Sequence, residues 1–145
     1  MAMDGRLTSD LAPPILYYAV GQGALAVEIR SSDSVARELC KSLMHRGTLW
    51  KCSAERAMLR KLEGGCSVPV GVDSSLVEGE DGVDVLKLVG CVTSVDGKTH
   101  VQEVLEERVS SLQEAEEIGE KVAKVLLDNG ASSILEGIKK LKETR

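Results

Sequence analysis

Asp96-Gly97 separates two runs rich in strand-forming residues, 84–93 and 98–106. An Asp-Gly pair readily takes the positive φ angles of a tight β-turn, so the two runs are read as an antiparallel hairpin. Val85, Leu86, Leu88, Val89 and Val92 supply the apolar side of the first run; Val101, Val104 and Leu105 supply that of the second. Residues 68–72 form a third strand candidate, in which Pro69 lacks an N–H and so favours a strand start or a sheet edge. Gly79, Glu80, Asp81 and Gly82 make the loop between it and the hairpin.

Helical patterns flank these strands. Ser31, Ser32 and Asp33 offer cap oxygens for a helix over 34–45, with Val35, Leu39 and Leu43 at helical spacing. Thr48 can cap a second helix over 49–62, with Leu49, Cys52, Leu59 and Leu62 on its apolar face and Gly64-Gly65 ending it. Ser111 with Glu114 reads as a capping box for a helix to Asp128, striped by Leu112, Ala115, Ile118, Val122, Val125 and Leu126. After Asn129-Gly130, Ser133 with Glu136 repeats the box for a final helix with Ile134, Ile138 and Leu141 inward. The expected fold is α+β: a small three-stranded antiparallel sheet packed with helices, preceded by strand segments left over from a split α/β domain. Residues 1–14 are expected to be a disordered leader, 15–47 a remnant of strands and helix whose neighbours lie elsewhere, and 48–145 the domain proper. Residues 15–20 and 24–29 are the two unpartnered strand candidates.

The chain has no Phe, and Trp50, Tyr17 and Tyr18 are its aromatic residues, so Val, Leu, Ile and Ala must build the core. That scarcity offers no stacking platform for bases, and a net charge of −5 provides no basic stripe for phosphates. Nucleic acid is therefore not an expected partner. The apolar run 15–20 falls far short of the roughly 20 residues that cross a bilayer, and the start shows no signal-peptide pattern. A cytoplasmic monomer is expected.

Cys40, Cys52, Cys66 and Cys91 contain no C-x-x-C pair, and His45 and His100 stand apart from them, so neither a metal site nor a disulfide framework is expected. Cys40, Cys52 and Cys91 fall within periodic patterns and read as core filling. Cys66 differs: Gly64-Gly65 precedes it and Pro69 follows, so a large group can approach or be attached to its thiol. A small residue in a tight turn is the plain alternative. Gly21-Gln22-Gly23-Ala24 lacks the pattern of a dinucleotide or phosphate loop and reads as a tight crossing between strands. Glu55, Arg56, Arg60 and Lys61 on the helix leading to Cys66 read as a solvated face, or as a charged rim beside an acidic cofactor.

Three stretches carry a resemblance. Residues 19–28 (AVGQGALAVE), 52–70 (CSAERAMLRKLEGGCSVPV) and 130–135 (GASSIL) resemble, in order, segments of the hydroxymethylbilane synthases, also called porphobilinogen deaminases. The resemblance spans residues 17–141. It implies an enzyme that joins four porphobilinogen molecules head to tail, with loss of ammonia, into hydroxymethylbilane for tetrapyrrole and heme synthesis. It implies a dipyrromethane cofactor held by a thioether to Cys66, with Gly65, Gln22 and Gly23 in the cofactor site and polypyrrole intermediates bound there. It places the catalytic acid and most substrate-binding arginines in domains that have no counterpart here, so no catalytic residue is assigned. The chain is thus expected to be a fragment, inactive alone. The competing reading is a non-catalytic α+β module that binds other proteins.

Overall fold

The computed structural model describes residues 8–62, 68–79 and 81–143. Gly65 and Cys66 lie outside the described residues, as does half of the leader assigned to 1–14. The element order is α1 (Ser34–Lys41), α2 (Arg46–Lys61), β1 (Val70–Glu78), β2 (Asp84–Thr93), β3 (His100–Val109), α3 (Leu112–Leu126) and α4 (Ser132–Glu143). The strands form one antiparallel sheet in the order β1-β2-β3. This is the expected α+β class, with the sheet lined on one face by α2 and α3.

The hairpin register pairs Thr93 with His100 and Asp84 with Val109. The turn therefore takes six residues, 94–99, where the expected strand bounds left four. The Asp96 carboxylate accepts from the Ser94 hydroxyl at 2.7 Å and the Lys98 amide at 3.2 Å, and Gly97 has φ +71°. β1 runs to Glu78, well past the expected end at residue 72, because Ser74, Leu76 and Glu78 pair in register with Leu88, Leu86 and Asp84.

One face of the sheet presents Val72, Leu86, Leu88 and Val92 to the helices, all but fully buried. Gly90 lies among them. A Cβ there would sit 2.5 Å from Met58 Sδ and 2.9 Å from Leu126 Cδ1, so the absence of a side chain lets α2 and α3 settle on the strand. On α2 the buried residues are Trp50, Ala54, Glu55, Ala57 and Met58, with Leu62 just beyond the helix. The expected face of Leu49, Cys52 and Leu59 is only half-buried. Small Ala54 and Ala57 let the backbone come close, which rotates the apolar centre of the helix away from those larger side chains. The helix also starts earlier than expected: His45, not Thr48, is the cap, its Nδ1 accepting from the Thr48 amide.

α3 and α2 touch backbone to backbone. A Cβ on Gly119 would lie 2.0 Å from the Ala54 carbonyl oxygen and 2.9 Å from its carbon. Ala115, Gly119 and Ala123 repeat every four residues, so one small-residue stripe faces α2. Leu112 and Val125, expected inward, are 40% and 41% exposed because that stripe, rather than the larger residues, sets the contact. Ser111 caps α3 as expected, accepting from the Glu114 amide. The reciprocal bond is displaced by one residue: Glu114 accepts from the amide and hydroxyl of Ser110, which hold its carboxyl below the usual range. A kink within Leu127–Ala131, where Gly130 takes a non-helical φ of +109°, joins α3 to α4. α4 starts at Ser132 rather than through a Ser133–Glu136 box, and buries Ile134, Leu135 and Ile138 while leaving Leu141 exposed.

Ahead of α2 the strand candidates find little pairing, in keeping with neighbours that lie elsewhere, while α1 departs from its expectation. Residues 15–20 shrink to a single antiparallel bridge between Tyr18 and Val72, and 24–29 form no ladder. α1 ends at Lys41, short of residue 45, and none of its residues is buried; Cys40 is half-buried rather than core. Amphipathic spacing shapes a helix, but a core needs a second surface, and no described element covers this one.

The α2–α3 contact yields a prediction. Gly119→Ala should destabilise the chain by about 1–3 kcal/mol, because backbone cannot yield as a side-chain tip can. Urea unfolding should show the loss, and Gly137→Ala, whose Cβ would meet open space, should not.

Candidate functional site

Glu55 organises a cavity that involves the glycine turn. It stands on the flank of α2 facing the start of β1, and is 8% exposed. Its Oε2 accepts from the Gly21 amide at 2.7 Å, and its Oε1 accepts from the Ser74 hydroxyl at 2.5 Å. One carboxylate therefore ties together the 18–24 segment, α2 and β1. The expected solvated face of Glu55, Arg56, Arg60 and Lys61 is correct for the cations but not for Glu55. The reason is that its side chain reaches toward β1 and meets two donors there.

The turn itself is compact. The Gln22 amide donates to the Ala19 carbonyl, the Ala24 amide to the Gly21 carbonyl, and Gln22 Oε1 accepts from the Ala19 amide at 3.1 Å. Gly21 and Gly23 have φ +70° and +78°, a region that residues with a Cβ rarely enter. Tyr18 anchors the segment by exchanging both backbone bonds with Val72. The Cβ of Tyr17 packs so closely on Gly71 that a side chain there would meet it at 2.5 Å.

Beside the turn lies an open cavity of about 340 Å³. Gln22 and Gly23 line it, together with Thr48, Lys51, Cys52, Asp73 and Ser74. Gln22 spends its side-chain oxygen on the turn. Lys51 is the cationic residue in the lining and has no carboxylate partner among the described residues. Cys52 was expected in the core but stands half-buried at the cavity wall. Burial pushes its thiol up, and the nearby Glu55 carboxylate adds to this, against Lys51 and Arg56. It is thus the protonated, less nucleophilic form that faces the cavity near neutral pH. Cys91 is buried, as expected. Glu55, Lys51 and Ser74 were not singled out as a set from the sequence. The bonds of Glu55 to Gly21 and to Ser74 join positions 34 and 19 residues apart, and no local spacing signals such a junction.

A second charged junction braces the far end of α2. The Arg46 guanidinium lies 2.7 Å from the buried Asp84 Oδ2, off hydrogen-bond alignment, and 4.7 Å from the centre of the Trp50 ring. No group of three or more His, Cys, Asp or Glu suited to a metal occurs among the described residues. No helix among them is long and apolar enough to cross a membrane.

Comparison with known proteins bears on what this arrangement serves. The family model described as porphobilinogen deaminase, C-terminal domain, matches residues 49–128. The chain belongs to that family. The porphobilinogen deaminase of Schizosaccharomyces pombe is 44% identical over 136 residues, which is 94% of this chain and 40% of the relative. That of Neurospora crassa is 46% identical over 83% of this chain and 35% of the relative, and that of Chlorobaculum parvum 42% over 93% and 42%. The chain thus spans about 40% of the length of the S. pombe relative. The segment matched by the porphobilinogen deaminase C-terminal domain contains most of α2, the sheet and α3, and also Cys66. The longer matches reach beyond 49–128, outside that domain.

Two outcomes are expected at the site. Glu55→Ala leaves the Gly21 amide without its acceptor and should cost about 1–3 kcal/mol in chemical unfolding, with faster hydrogen exchange at Gly21. Glu55→Gln, which keeps an acceptor oxygen, should recover most of the protection. Alkylation of Cys52 should stay slow until the pH exceeds the range in which an ordinary thiol reacts, as followed by peptide mass mapping.

Proposed function

We infer that this chain is the cofactor-carrying part of a hydroxymethylbilane synthase, with Cys66 as the attachment point of a dipyrromethane. The observation that carries the reading is that the porphobilinogen deaminase C-terminal domain match covers 49–128 and so includes Cys66 in the Gly64-Gly65-Cys66 sequence. When bound, the dipyrromethane supplies the pyrrole terminus to which porphobilinogen units are joined. A covalent anchor keeps each growing product in place, so that successive additions need no rebinding.

The residues of this chain have supporting parts in that scheme. α2 ends at Lys61, close ahead of Cys66, and the same helix holds Glu55. Glu55 fixes the Gly21 amide, so the helix that leads to the cysteine and the Gln22-Gly23 turn move as one body. In this proposal Gln22 donates from its side-chain amide, and Gly23 and Gly65 allow close approach of a planar ring. The cavity of about 340 Å³ is of a size for a small heterocycle with acidic side chains, and Lys51 offers one cation to a carboxylate. Substrate acetate and propionate groups would need several paired cations, which the single lysine of this lining does not provide. We assign that charge, and the acid that handles protons, to the part of the family's enzymes that this chain does not match. The protein is proposed to work in the cytoplasm as a monomer, with porphobilinogen and polypyrrole intermediates as its ligands.

The test is intact-mass measurement of the chain purified from cells that make tetrapyrroles. A dipyrromethane adduct is expected on Cys66 and should vanish in Cys66→Ser. An adduct on Cys52 instead, or none when a complete synthase handled alongside carries one, refutes the assignment. Porphobilinogen consumption by the chain alone should be undetectable beside that complete synthase; robust turnover would show that the unmatched part is dispensable.

A further inference from the structure

Asn129 is the single asparagine of the chain, and glycine follows it at the kink between α3 and α4. Gly130 takes φ +109°, although a Cβ there would meet nothing nearer than Val101 Cγ2 at 4.0 Å. Backbone conformation, not space, therefore calls for glycine. Asn129 is exposed, and its Nδ2 donates to Glu103 Oε1 at 2.5 Å. That bond ties the kink to β3, an edge strand of the sheet. Beyond the kink, α4 buries Ile134, Leu135 and Ile138.

An asparagine side-chain carbonyl is open to attack by the backbone nitrogen of the next residue, most of all when that residue is glycine and no side chain screens the nitrogen. A continuous helix holds the backbone away from the geometry of the five-membered ring, but the helix is interrupted at Gly130. Two Asp-Gly pairs among the described residues offer a comparison. Asp96 accepts from the Ser94 hydroxyl and the Lys98 amide, and these donors hold its carboxyl below the usual range. Asp81 accepts from Arg108 and the Val83 amide, with the same result. An ionised carboxylate is a poor electrophile. The Asn129 amide is neutral and has ammonia as its leaving group, so of the three it is the reactive one.

We propose that Asn129 is a self-modifying site, whose conversion to aspartate and isoaspartate breaks the tie to Glu103 and loosens α4. The Gly130 nitrogen gives up its proton and bonds to Asn129 Cγ, the Cγ–Nδ2 bond breaks, and ammonia leaves with that proton. Water then opens the cyclic imide at either carbonyl. One opening gives aspartate; the other gives isoaspartate, which lengthens the backbone by one carbon. The donor to Glu103 becomes a carboxylate facing a carboxylate, with Asp128 beside it in the chain. Neither Glu103 nor Asp128 has an ion pair among the described residues, so the new charge is uncompensated. The kink moves off β3, and the core contacts of Ile134, Leu135 and Ile138 weaken with it. The bond to Glu103 also sets the pace, because ring closure requires the side chain to leave it. The proposal rests neither on the family reading nor on Cys66.

The test ages the whole chain at mildly alkaline pH beside an unstructured peptide of the sequence 125–134. Peptide mass mapping should show the exchange of an amide for a carboxyl at Asn129, and enzymatic methyl labelling should reveal isoaspartate. The converted chain adds one negative charge to the net −5 and should elute later from an anion exchanger. Glu103→Ala should speed conversion by at least about threefold, the worth of one hydrogen bond. Asn129→Gln, whose longer side chain cannot close the five-membered ring, should stay unmodified. Asn129→Asp should melt about 3 °C below Asn129→Gln, with faster hydrogen exchange in α4. In a Glu103→Gln background most of that difference should vanish, because the facing charge is gone. Asn129 still intact when the peptide has converted, earlier isomerisation at Asp96 or Asp81, or a rate unmoved by Glu103→Ala would each overturn the proposal. So would an Asn129→Asp loss that persists beside Glu103→Gln.

Discussion

The close approach of α2 and α3 at Gly119 sets the geometry of everything built on the sheet. With no Cβ at that point, the Ala54 carbonyl can lie against the α3 backbone, and the helix pair then reaches Gly90 of β2 with Met58, Val122 and Leu126. The aliphatic core follows from this choice. A chain with no Phe cannot fill a wide gap with rings, so it closes the gap by bringing backbones together over Ala and Gly. Trp50, at 6% exposed, is the single large ring in the core, and it sits at the end of α2 where Arg46 covers it and pairs with Asp84.

The same orientation of α2 sends Glu55 out along the flank toward β1. A carboxylate removed from water is costly unless its oxygens are satisfied. Here the Gly21 amide and Ser74 hydroxyl satisfy them, and the requirement becomes a positional constraint: the glycine turn has to stand beside α2 for the domain to bury Glu55. The cavity next to Gln22, Gly23 and Lys51 is a consequence of that constraint. Packing, a buried charge and the candidate site thus form one causal chain, from Gly119 through the tilt of α2 to the Gln22-Gly23 turn.

The parts of this order that were legible in the sequence are those settled by neighbours in the chain. The hairpin at Asp96-Gly97, the caps at Asp33 and Ser111 and the kink at Gly130 are local events, governed by φ angles or by a side-chain oxygen within four residues. The apolar faces of α2 and α3 were less legible. Periodicity weighs large residues above small ones, so Leu59, Leu112 and Val125 suggested the inward side, while the contact was made by Ala54, Ala57, Ala115 and Gly119. Strand length was also hard to read: Ser74 and Ser75 weaken the pattern of β1, and pairing with β2 carries it on to Glu78.

Family membership and the candidacy of Cys66 came from contiguous motifs, which the linear order of residues records in full. The alternation of Leu25, Val27 and Ile29 was equally visible, and so was the absence of a neighbour to receive it. Tertiary structure alone decided that Glu55, on a helix dense with exposed charge, would be the buried member. It also decided that Cys52 would leave the core for a cavity wall. Each depends on what lies across space: a Ser hydroxyl on β1, an amide of a distant turn, the tilt permitted by one glycine on another helix. A sequence encodes such distances only through the whole fold, because an interaction between residues tens of positions apart leaves no local pattern to read.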